Sequence, residues 1–290
     1  MSQSRLARLT RRLPEWLAFH VMWGLLLLRQ RWLFDAIHAR SVRASELADD
    51  ERAWQRSLRR FGYLLIPGYK SAEWCDSARA ELQAALDNPQ KTSLHAEDVR
   101  VFGIDHLSSY ASQFGNDPKL LRAASEYARS QEALAFCMAN RVTHRDGIAL
   151  GSGGEWHRDG YRRQMKAMLY LTDVDPADGP FSVIERSHRA GQILRDSLVL
   201  GAAIKRRLVS GLMATRLKDA GARLEQQIPG RRKVFAAPAG TLILFDTSTI
   251  HAGSPPEPGG KERLALTNYY VDAKSLPETL DYYRGAVTLN

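Results

Sequence analysis

Two short stretches decide the fold: WHRDG at residues 156–160 and TIHAG at residues 249–253. Side chains two residues apart on an extended strand point to the same side, so His157 and Asp159 present an imidazole and a carboxylate to one point in space. His251 supplies a third ligand. Two histidines and one carboxylate on one face of an octahedral ion leave the opposite face open, which suits non-heme Fe(II). The sequence therefore predicts a metal centre made by these three side chains.

The letters HRDG occur twice, at residues 144–147 and again at residues 157–160. Only the second copy leads into an apolar strand over residues 165–174, a turn DGP at 178–180 and a short strand over 181–184. Neither copy continues with the Leu and Asn that a protein-kinase catalytic loop requires. We therefore place the metal site at the second copy and expect His144 and Asp146 to form a turn ahead of it.

The order of these motifs, followed by SHR at residues 187–189, resembles the phytanoyl-CoA dioxygenase family. In that family the metal-binding His-x-Asp-Gly leads into a strand ending Leu-Thr-Asp, here residues 171–173, then an acidic-Gly turn and a Gly-Ser-His-Arg segment. The resemblance covers residues 60–272 and implies a double-stranded β-helix, a mainly β, cupin-like jelly-roll barrel with flanking helices. The chain departs from the family pattern at Glu185 and Arg186, which stand where the family usually has Pro-Gly.

The same resemblance implies dioxygenase chemistry. Fe(II), 2-oxoglutarate and O2 are the expected cofactor and co-substrates, and decarboxylation of 2-oxoglutarate to succinate accompanies hydroxylation of an aliphatic C–H bond. Arg263 offers a permanently charged, bidentate fork for the far carboxylate of 2-oxoglutarate. Thr267 shares a strand face with Arg263 and adds a hydroxyl to the same carboxylate.

Two other hypotheses start from the same residues. A membrane-associated binding protein built on an inactive barrel predicts that a metal ligand or the carboxylate anchor is missing, and neither is missing here. A zinc hydrolase uses the same three ligands to activate water, but it leaves Arg263 unexplained and needs a general base that the sequence does not identify.

We expect three parts in this chain of 290 residues. Residues 1–58 form a basic, Trp- and Leu-rich helical extension, and residues 59–275 form the barrel with a basic helical insert over 191–233. Residues 276–290 form a C-terminal tail. Cys75 and Cys137 are too few for a disulfide framework, which favours a reducing, cytoplasmic compartment.

The net charge of +9 is concentrated in two segments. Residues 1–45 hold eight arginines against two acidic residues, around the apolar run VMWGLLLL at 21–28. That run is too short to cross a bilayer, and the RQR that follows it is unlike a signal-peptide cleavage site. Two interpretations stay open: a helix lying on the anionic inner face of a membrane, or a helix packed on the barrel or on another subunit.

The second basic segment, residues 191–233, holds ten basic residues against three acidic ones, with leucines at helical spacing. A basic helix at the entrance of the barrel favours an anionic small-molecule or lipid-linked substrate. A solvated helix face is the alternative interpretation. The sequence contains no recognisable nucleic-acid-binding module, so we expect no nucleic-acid partner.

Overall fold

The computed structural model describes residues 24–25, 48–90, 92–95, 98–144, 146, 154–193 and 230–283. The expected membrane-facing segment over residues 1–45, apart from residues 24–25, lies outside the described residues. The same holds for residues 194–229 of the basic insert and for the end of the C-terminal tail. No helix in the described ranges has both the length and the apolar character needed to span a bilayer.

The described elements alternate short helices with strands. The helices with described bounds are α1 (Asp49–Phe61), α2 (Ala72–Leu86), α3 (Ser109–Gly115), α4 (Pro118–Ala128) and α5 (Leu276–Tyr282). The strands are β1 (Tyr63–Ile66), β2 (Ser93–His95), β3 (Asp98–Phe102), β4 (Glu132–Val142), β5 (Met165–Tyr170), β6 (Phe181–Ile184), β7 (Arg232–Val234), β8 (Leu242–Asp246), β9 (His251–Gly253) and β10 (Arg263–Asp272).

The strands form two antiparallel sheets. The larger sheet has the order β1-β8-β5-β10-β4-β3-β2, and the smaller has the order β7-β6-β9. A bridge between His157 and His251 adds the segment around residue 157 to the free edge of β9. The chain therefore crosses repeatedly between two facing sheets, and the predicted cupin-like jelly roll is confirmed.

Side-chain alternation along the strands separates the two faces of the larger sheet. On β5, Met165, Ala167 and Leu169 pack into the core that includes the helices α1, α2, α3 and α4. Met168 and Tyr170 point the other way, into a core shared with the smaller sheet. The inward-facing positions of the larger sheet therefore line the space between the sheets, where the metal site lies.

Single residues determine the start of α2 and the turn before β8. Ser71 caps α2, accepting a hydrogen bond from the backbone N–H of Trp74 at 3.2 Å. The turn before β8 places Gly240 in the left-handed region at φ 82°, and a Cβ there would lie 2.0 Å from the backbone carbonyl oxygen of Lys70. Only glycine fits this turn, because both the backbone conformation and the close approach exclude a side chain.

Other boundaries differ from the expectation. The strand expected over residues 165–174 ends at Tyr170, and only an isolated bridge between Val174 and Ala237 continues it. Strand β7 overlaps the end of the segment expected to be helical, residues 191–233. Helix α1 spans residue 58, and its Trp54 and Leu58 side chains pack into the core.

At Glu185 and Arg186, where the family usually has Pro-Gly, the backbone makes the left-handed turn that glycine usually makes. Arg186 adopts φ 64°, in the left-handed region, and its backbone N–H donates to the Phe61 carbonyl at 2.8 Å. Its guanidinium carbon lies 5.6 Å from the centre of the Phe61 ring and its Nε lies 3.3 Å from the Glu185 carboxylate. An arginine thus occupies a conformation that disfavours side chains, held by contacts on both sides.

Candidate metal centre

The structure brings His157, Asp159 and His251 together. One ligand atom from each lies within 4.8 Å of the other two. His157 Nε2 is 3.5 Å from Asp159 Oδ1, and His251 Nε2 is 3.7 Å from Asp159 Oδ2. Both imidazoles are buried, whereas the Asp159 side chain is 27% exposed. The three donors therefore converge at a point that remains open on the carboxylate side.

Backbone carbonyls fix both imidazole rings. The Nδ1 of His157 lies 2.7 Å from the carbonyl oxygen of Glu155, and the Nδ1 of His251 lies 2.8 Å from that of Thr249. A carbonyl can only accept, so each ring carries its proton on Nδ1 and leaves the Nε2 lone pair directed at the site. This is the outer-shell arrangement that orients metal-binding histidines.

Backbone hydrogen bonds and the side chains of Arg158 and Ser187 hold together the two segments that carry the candidate metal ligands. His157 and His251 exchange backbone hydrogen bonds of 2.9 and 2.8 Å. The buried guanidinium of Arg158 donates to the carbonyls of Ser187 and Ser248. The Ser187 hydroxyl accepts from the N–H of Ile250 at 2.7 Å, so the SHR motif supports the strand that carries His251.

The turn between β8 and β9 is built on a buried carboxylate. Asp246 accepts from the N–H and the hydroxyl of Ser248 at 2.7 and 2.6 Å. Its other oxygen accepts from the hydroxyl of Tyr127 on α4 at 2.5 Å. Residues 246–249 are fully buried and include Thr249, whose carbonyl orients His251. Helix α4 therefore supports the metal site from outside the barrel.

Lys166 on β5 is the immediate partner of Asp159. Its Nζ lies 2.9 Å from Asp159 Oδ2, and its side chain is 9% exposed. Burial alone would raise the pKa of the Asp159 carboxyl, but the charge of Lys166, with smaller contributions from His251 and His157, outweighs burial and holds that pKa well below the usual value. Burial likewise opposes the charge on Lys166, yet the carboxylate of Asp159 raises the pKa of the ammonium. The pair is therefore ionised.

Burial, together with the neighbouring His157, lowers the pKa of His251 from its ordinary 6.5 to about 3, against the opposing effect of Asp159. The imidazole of His251 is therefore neutral at physiological pH, which is the form that binds a metal.

The first HRDG copy takes no part in this centre. His144 contacts the carboxylate of Asp146 and the carbonyl of Pro256, both at 2.8 Å. The group of metal-competent side chains found in the described ranges consists of the second copy and His251. The choice between the two copies is consistent with this geometry.

A second set of polar groups lies on the inner face of the larger sheet, where a carboxylate would fit. Arg263 is buried at the start of β10, and Tyr170 on β5 lies opposite Ala265 on the same face. The Tyr170 hydroxyl accepts from the N–H of Phe181 at 2.9 Å, so its proton can be donated elsewhere. Burial raises the pKa of Tyr170 against the opposing charge of Arg263, so the hydroxyl stays protonated. Arginine and a phenol donor together match an anion.

Thr267 follows on the same strand face. Its buried Oγ1 has no hydrogen-bond partner within the described ranges. The strand rise puts its Cα about 13 Å from that of Arg263, so the hydroxyl lies towards the metal end of the face. A buried hydroxyl without a partner is costly unless a bound molecule satisfies it. Thr267 thus lies between Arg263 and the three candidate metal ligands on this face.

An aromatic wall, made by Phe102, Phe136, Tyr269 and Tyr283, stands beside the metal centre. Phe136 stacks on Tyr269 with ring centres 4.6 Å apart, and Tyr283 approaches Phe136 at 4.9 Å. Tyr269 lies directly opposite Lys166, whose Nζ is 3.7 Å from the ring centre. The wall therefore reaches the ammonium that holds Asp159.

Sequence reasoning missed Lys166 and Tyr170. A signal for Lys166 was present, because a lysine within the apolar stretch MKAMLY at residues 165–170 requires a buried partner. Tyr170 carried no comparable signal, since aromatic residues are ordinary in strands.

Comparisons with known proteins agree with this geometry. The sequence model described as phytanoyl-CoA dioxygenase (PhyH) matches residues 58–257. No curated protein matches the chain.

Three solved structures illustrate the likeness. The epimerase SnoN, in complex with Fe3+, alpha-ketoglutarate and nogalamycin RO, is 17% identical over 77% of this chain and 84% of that chain, with a TM-score of 0.58. The carbocyclase SnoK from nogalamycin biosynthesis is 18% identical, covering 79% and 86%, with a TM-score of 0.55. HygX from Streptomyces hygroscopicus, with nickel, 2-oxoglutarate and hygromycin B bound, is 18% identical, covering 78% and 88%, with a TM-score of 0.53. At these identities the likeness establishes the fold.

Proposed function

The chain belongs to the phytanoyl-CoA dioxygenase family, and we propose that it is an Fe(II)- and 2-oxoglutarate-dependent oxygenase that hydroxylates an aliphatic C–H bond. The observation that carries the proposal is the convergence of His157, Asp159 and His251 within 4.8 Å, with both Nε2 atoms left for a metal. Two imidazoles and one carboxylate on one side of an ion leave room for a chelating co-substrate and O2.

The buried groups on the larger sheet fit 2-oxoglutarate. Arg263 and Tyr170 supply a permanent positive charge and a phenol donor for the far carboxylate, and the unpartnered hydroxyl of Thr267 faces the region between them and the metal. A zinc hydrolase has no use for this anion site, so the site argues against that alternative. An inactive binding barrel is disfavoured because all three ligands and the anchor are retained.

An Fe(II) ion held by His157, Asp159 and His251 would, together with 2-oxoglutarate and O2, supply the oxidising power that hydroxylation of a C–H bond requires. The protein binds the metal and the substrates and orients them for reaction. The carbonyls of Glu155 and Thr249 hold the imidazoles, and Lys166 holds Asp159. The aromatic wall covers the Lys166 ammonium through the ring of Tyr269.

The substrate part of the proposal rests on charge and on the related structures. SnoN is in complex with nogalamycin RO and HygX has hygromycin B bound, which supports a small-molecule substrate here. The basic segment over 191–233 favours an anionic or lipid-linked one. We further propose peripheral contact with the inner face of a membrane through residues 1–45. Equal partitioning of the protein with and without that segment on cell fractionation would remove the membrane part.

Anaerobic titration of Fe(II) and 2-oxoglutarate into the purified protein tests the core of the proposal. We expect a visible metal-to-ligand charge-transfer band in the wild type and its loss in His157→Ala. Arg263→Met should raise the dissociation constant of 2-oxoglutarate about 100-fold, because a charge-assisted bidentate contact is lost. Lys261→Met, which alters a side chain that is 73% exposed, is the matched control. No band in a folded, iron-loaded wild type would favour the hydrolase or the inactive barrel.

The type of reaction on the substrate needs a separate measurement, since enzymes with the same fold include an epimerase and a carbocyclase. Mass spectrometry of small-molecule fractions incubated with the loaded enzyme under 18O2 should show a product carrying one labelled oxygen atom. A product of unchanged mass, or one that has lost two hydrogens, would replace hydroxylation by epimerisation or by ring closure.

A further inference from the structure

Lys166 has more hydrogen-bonding capacity than its protein contacts use. An ammonium has three N–H groups. Asp159 takes one at 2.9 Å, and the face of Tyr269 lies 3.7 Å from Nζ. The described residues offer Lys166 no second acidic partner within salt-bridge distance. One donor of a nearly buried cation therefore remains for a molecule that enters the site.

The charge at Lys166 points in the same direction. Asp159 brings a single negative charge, which the ammonium and a bound Fe(II) would share. The far carboxylate of 2-oxoglutarate is matched by Arg263, and the chelating end is matched by the metal. Loading the site therefore leaves Lys166 without a full counter-charge, and burying such a cation is costly.

The surroundings of Lys166 specify what a compensating group would be attached to. Tyr269, Phe136 and Tyr283 form the adjacent part of the aromatic wall and present rings rather than charges. A substrate cation would meet the ammonium at close range and be repelled. An anionic group on an apolar or aromatic body would meet a donor, a positive charge and ring surface together.

We infer that Lys166 binds an anionic group of the substrate, such as a carboxylate, and so places the neighbouring apolar carbons at the metal. This inference rests on the proposed oxygenase function and specifies its substrate class as an organic anion with an apolar or aromatic body. Lys166 is then a specificity-determining residue as well as the partner of Asp159.

Binding of small probes to the anaerobic enzyme loaded with Fe(II) and 2-oxoglutarate tests this directly. The probes are 3-phenylpropanoate, its neutral amide and 3-phenylpropylamine, which share one body and differ in charge. The readout is the shift of the charge-transfer band on titration. We expect the carboxylate to bind the wild type about tenfold more tightly than the amide, as for a hydrogen bond to a charged group, and the amine to bind most weakly.

Variants then locate the preference. Lys166→Met should abolish the difference between carboxylate and amide, Lys166→Arg should keep it, and the exposed control Lys261→Met should leave it unchanged. Equal binding of the three probes to a wild type that shows the band would overturn the inference while leaving the oxygenase intact. Absence of the band would instead overturn the proposed function. Weaker 2-oxoglutarate binding in Lys166→Met, with the carboxylate preference retained, would assign Lys166 to the co-substrate and also overturn the inference. The wild-type comparison stands even if Lys166→Met does not fold.

Discussion

Removing the hydroxyl of Tyr127 should weaken both the fold and the metal site. This hydroxyl donates to the buried carboxylate of Asp246 at 2.5 Å, and both residues are completely buried. The same carboxylate organises the turn that ends in Thr249, whose carbonyl holds the Nδ1 of His251. Tyr127→Phe deletes one oxygen and leaves the ring in place, so the change isolates the hydrogen bond.

The expected magnitude follows from the acceptor. A hydrogen bond to a charged group contributes about 1.5–3 kcal/mol, and its buried partner keeps its desolvation cost when the donor is lost. No cavity larger than a hydroxyl forms, so packing adds little. We therefore expect Tyr127→Phe to lower the free energy of unfolding by about 2 kcal/mol. Loss of outer-shell support should also weaken Co(II) binding about tenfold.

Urea denaturation of the metal-free protein measures the first effect, and titration with Co(II), followed by its visible spectrum, measures the second. Tyr110→Phe is the matched control, because that half-buried ring packs edge-on against Trp74 and its hydroxyl makes no hydrogen bond within the described ranges. A loss of less than about 0.5 kcal/mol in Tyr127→Phe, the size of an ordinary surface change, would refute the role of the hydroxyl. Destabilisation with unchanged Co(II) affinity would show that the Asp246 turn supports the fold but not metal binding.

Three further predictions concern the backbone and pH. Gly240→Ala should cost at least about 3 kcal/mol of unfolding free energy, since its Cβ would lie 2.0 Å from the carbonyl oxygen of Lys70 at φ 82°; a melting temperature within a few degrees of wild type would contradict this. Arg186→Val should be less stable than Arg186→Gly by about 1–2 kcal/mol in urea denaturation, because a β-branched residue fits φ 64° worst, and equal stabilities would show that the turn relaxes. The pKa of His251 is lowered to about 3 in the folded protein, so the metal-free protein should lose stability as pH falls below 6.5, because only the unfolded chain takes up the proton. The expected loss in the free energy of unfolding is about 1.4 kcal/mol at pH 5.5. A His251→Gln variant with the same loss would exclude His251 as its source.

The resemblance to the phytanoyl-CoA dioxygenase family implied the jelly roll, and the two sequence motifs were sufficient to predict the three candidate ligands. His157 and Asp159 share a strand face because side chains two residues apart on a strand point to the same side, and His251 stands in the second motif, TIHAG. Arg263 and Thr267 were placed on one face for the same reason, and the structure gives them that face. Which residues share a strand face follows from the alternation of side chains along a strand, so it can be predicted without coordinates.

What the sequence did not predict depends on how separate segments pack in the fold. Tyr170 on β5 reaches the Arg263 region because β5 lies next to β10 in the larger sheet, whereas Lys166 on β5 reaches Asp159 in the segment that bridges to β9 in the smaller sheet. Which strands lie next to each other in a sheet depends on the topology of the fold, and a single sequence does not determine it. Arg186 shows a second limit, since its left-handed backbone is stabilised by Phe61 from an earlier part of the chain.

The reciprocal backbone bridge between His157 and His251 determines when the site can exist. Each ligand histidine completes the strand of the other, and strands β5 to β8 lie between the two along the chain. Pairings between such distant segments form late, because loop closure must precede them. During synthesis the ribosome therefore releases His157 and Asp159 long before the third donor is available. Binding of a metal by all three ligands therefore requires synthesis through β9, and a chain truncated before β9 would lack the third ligand.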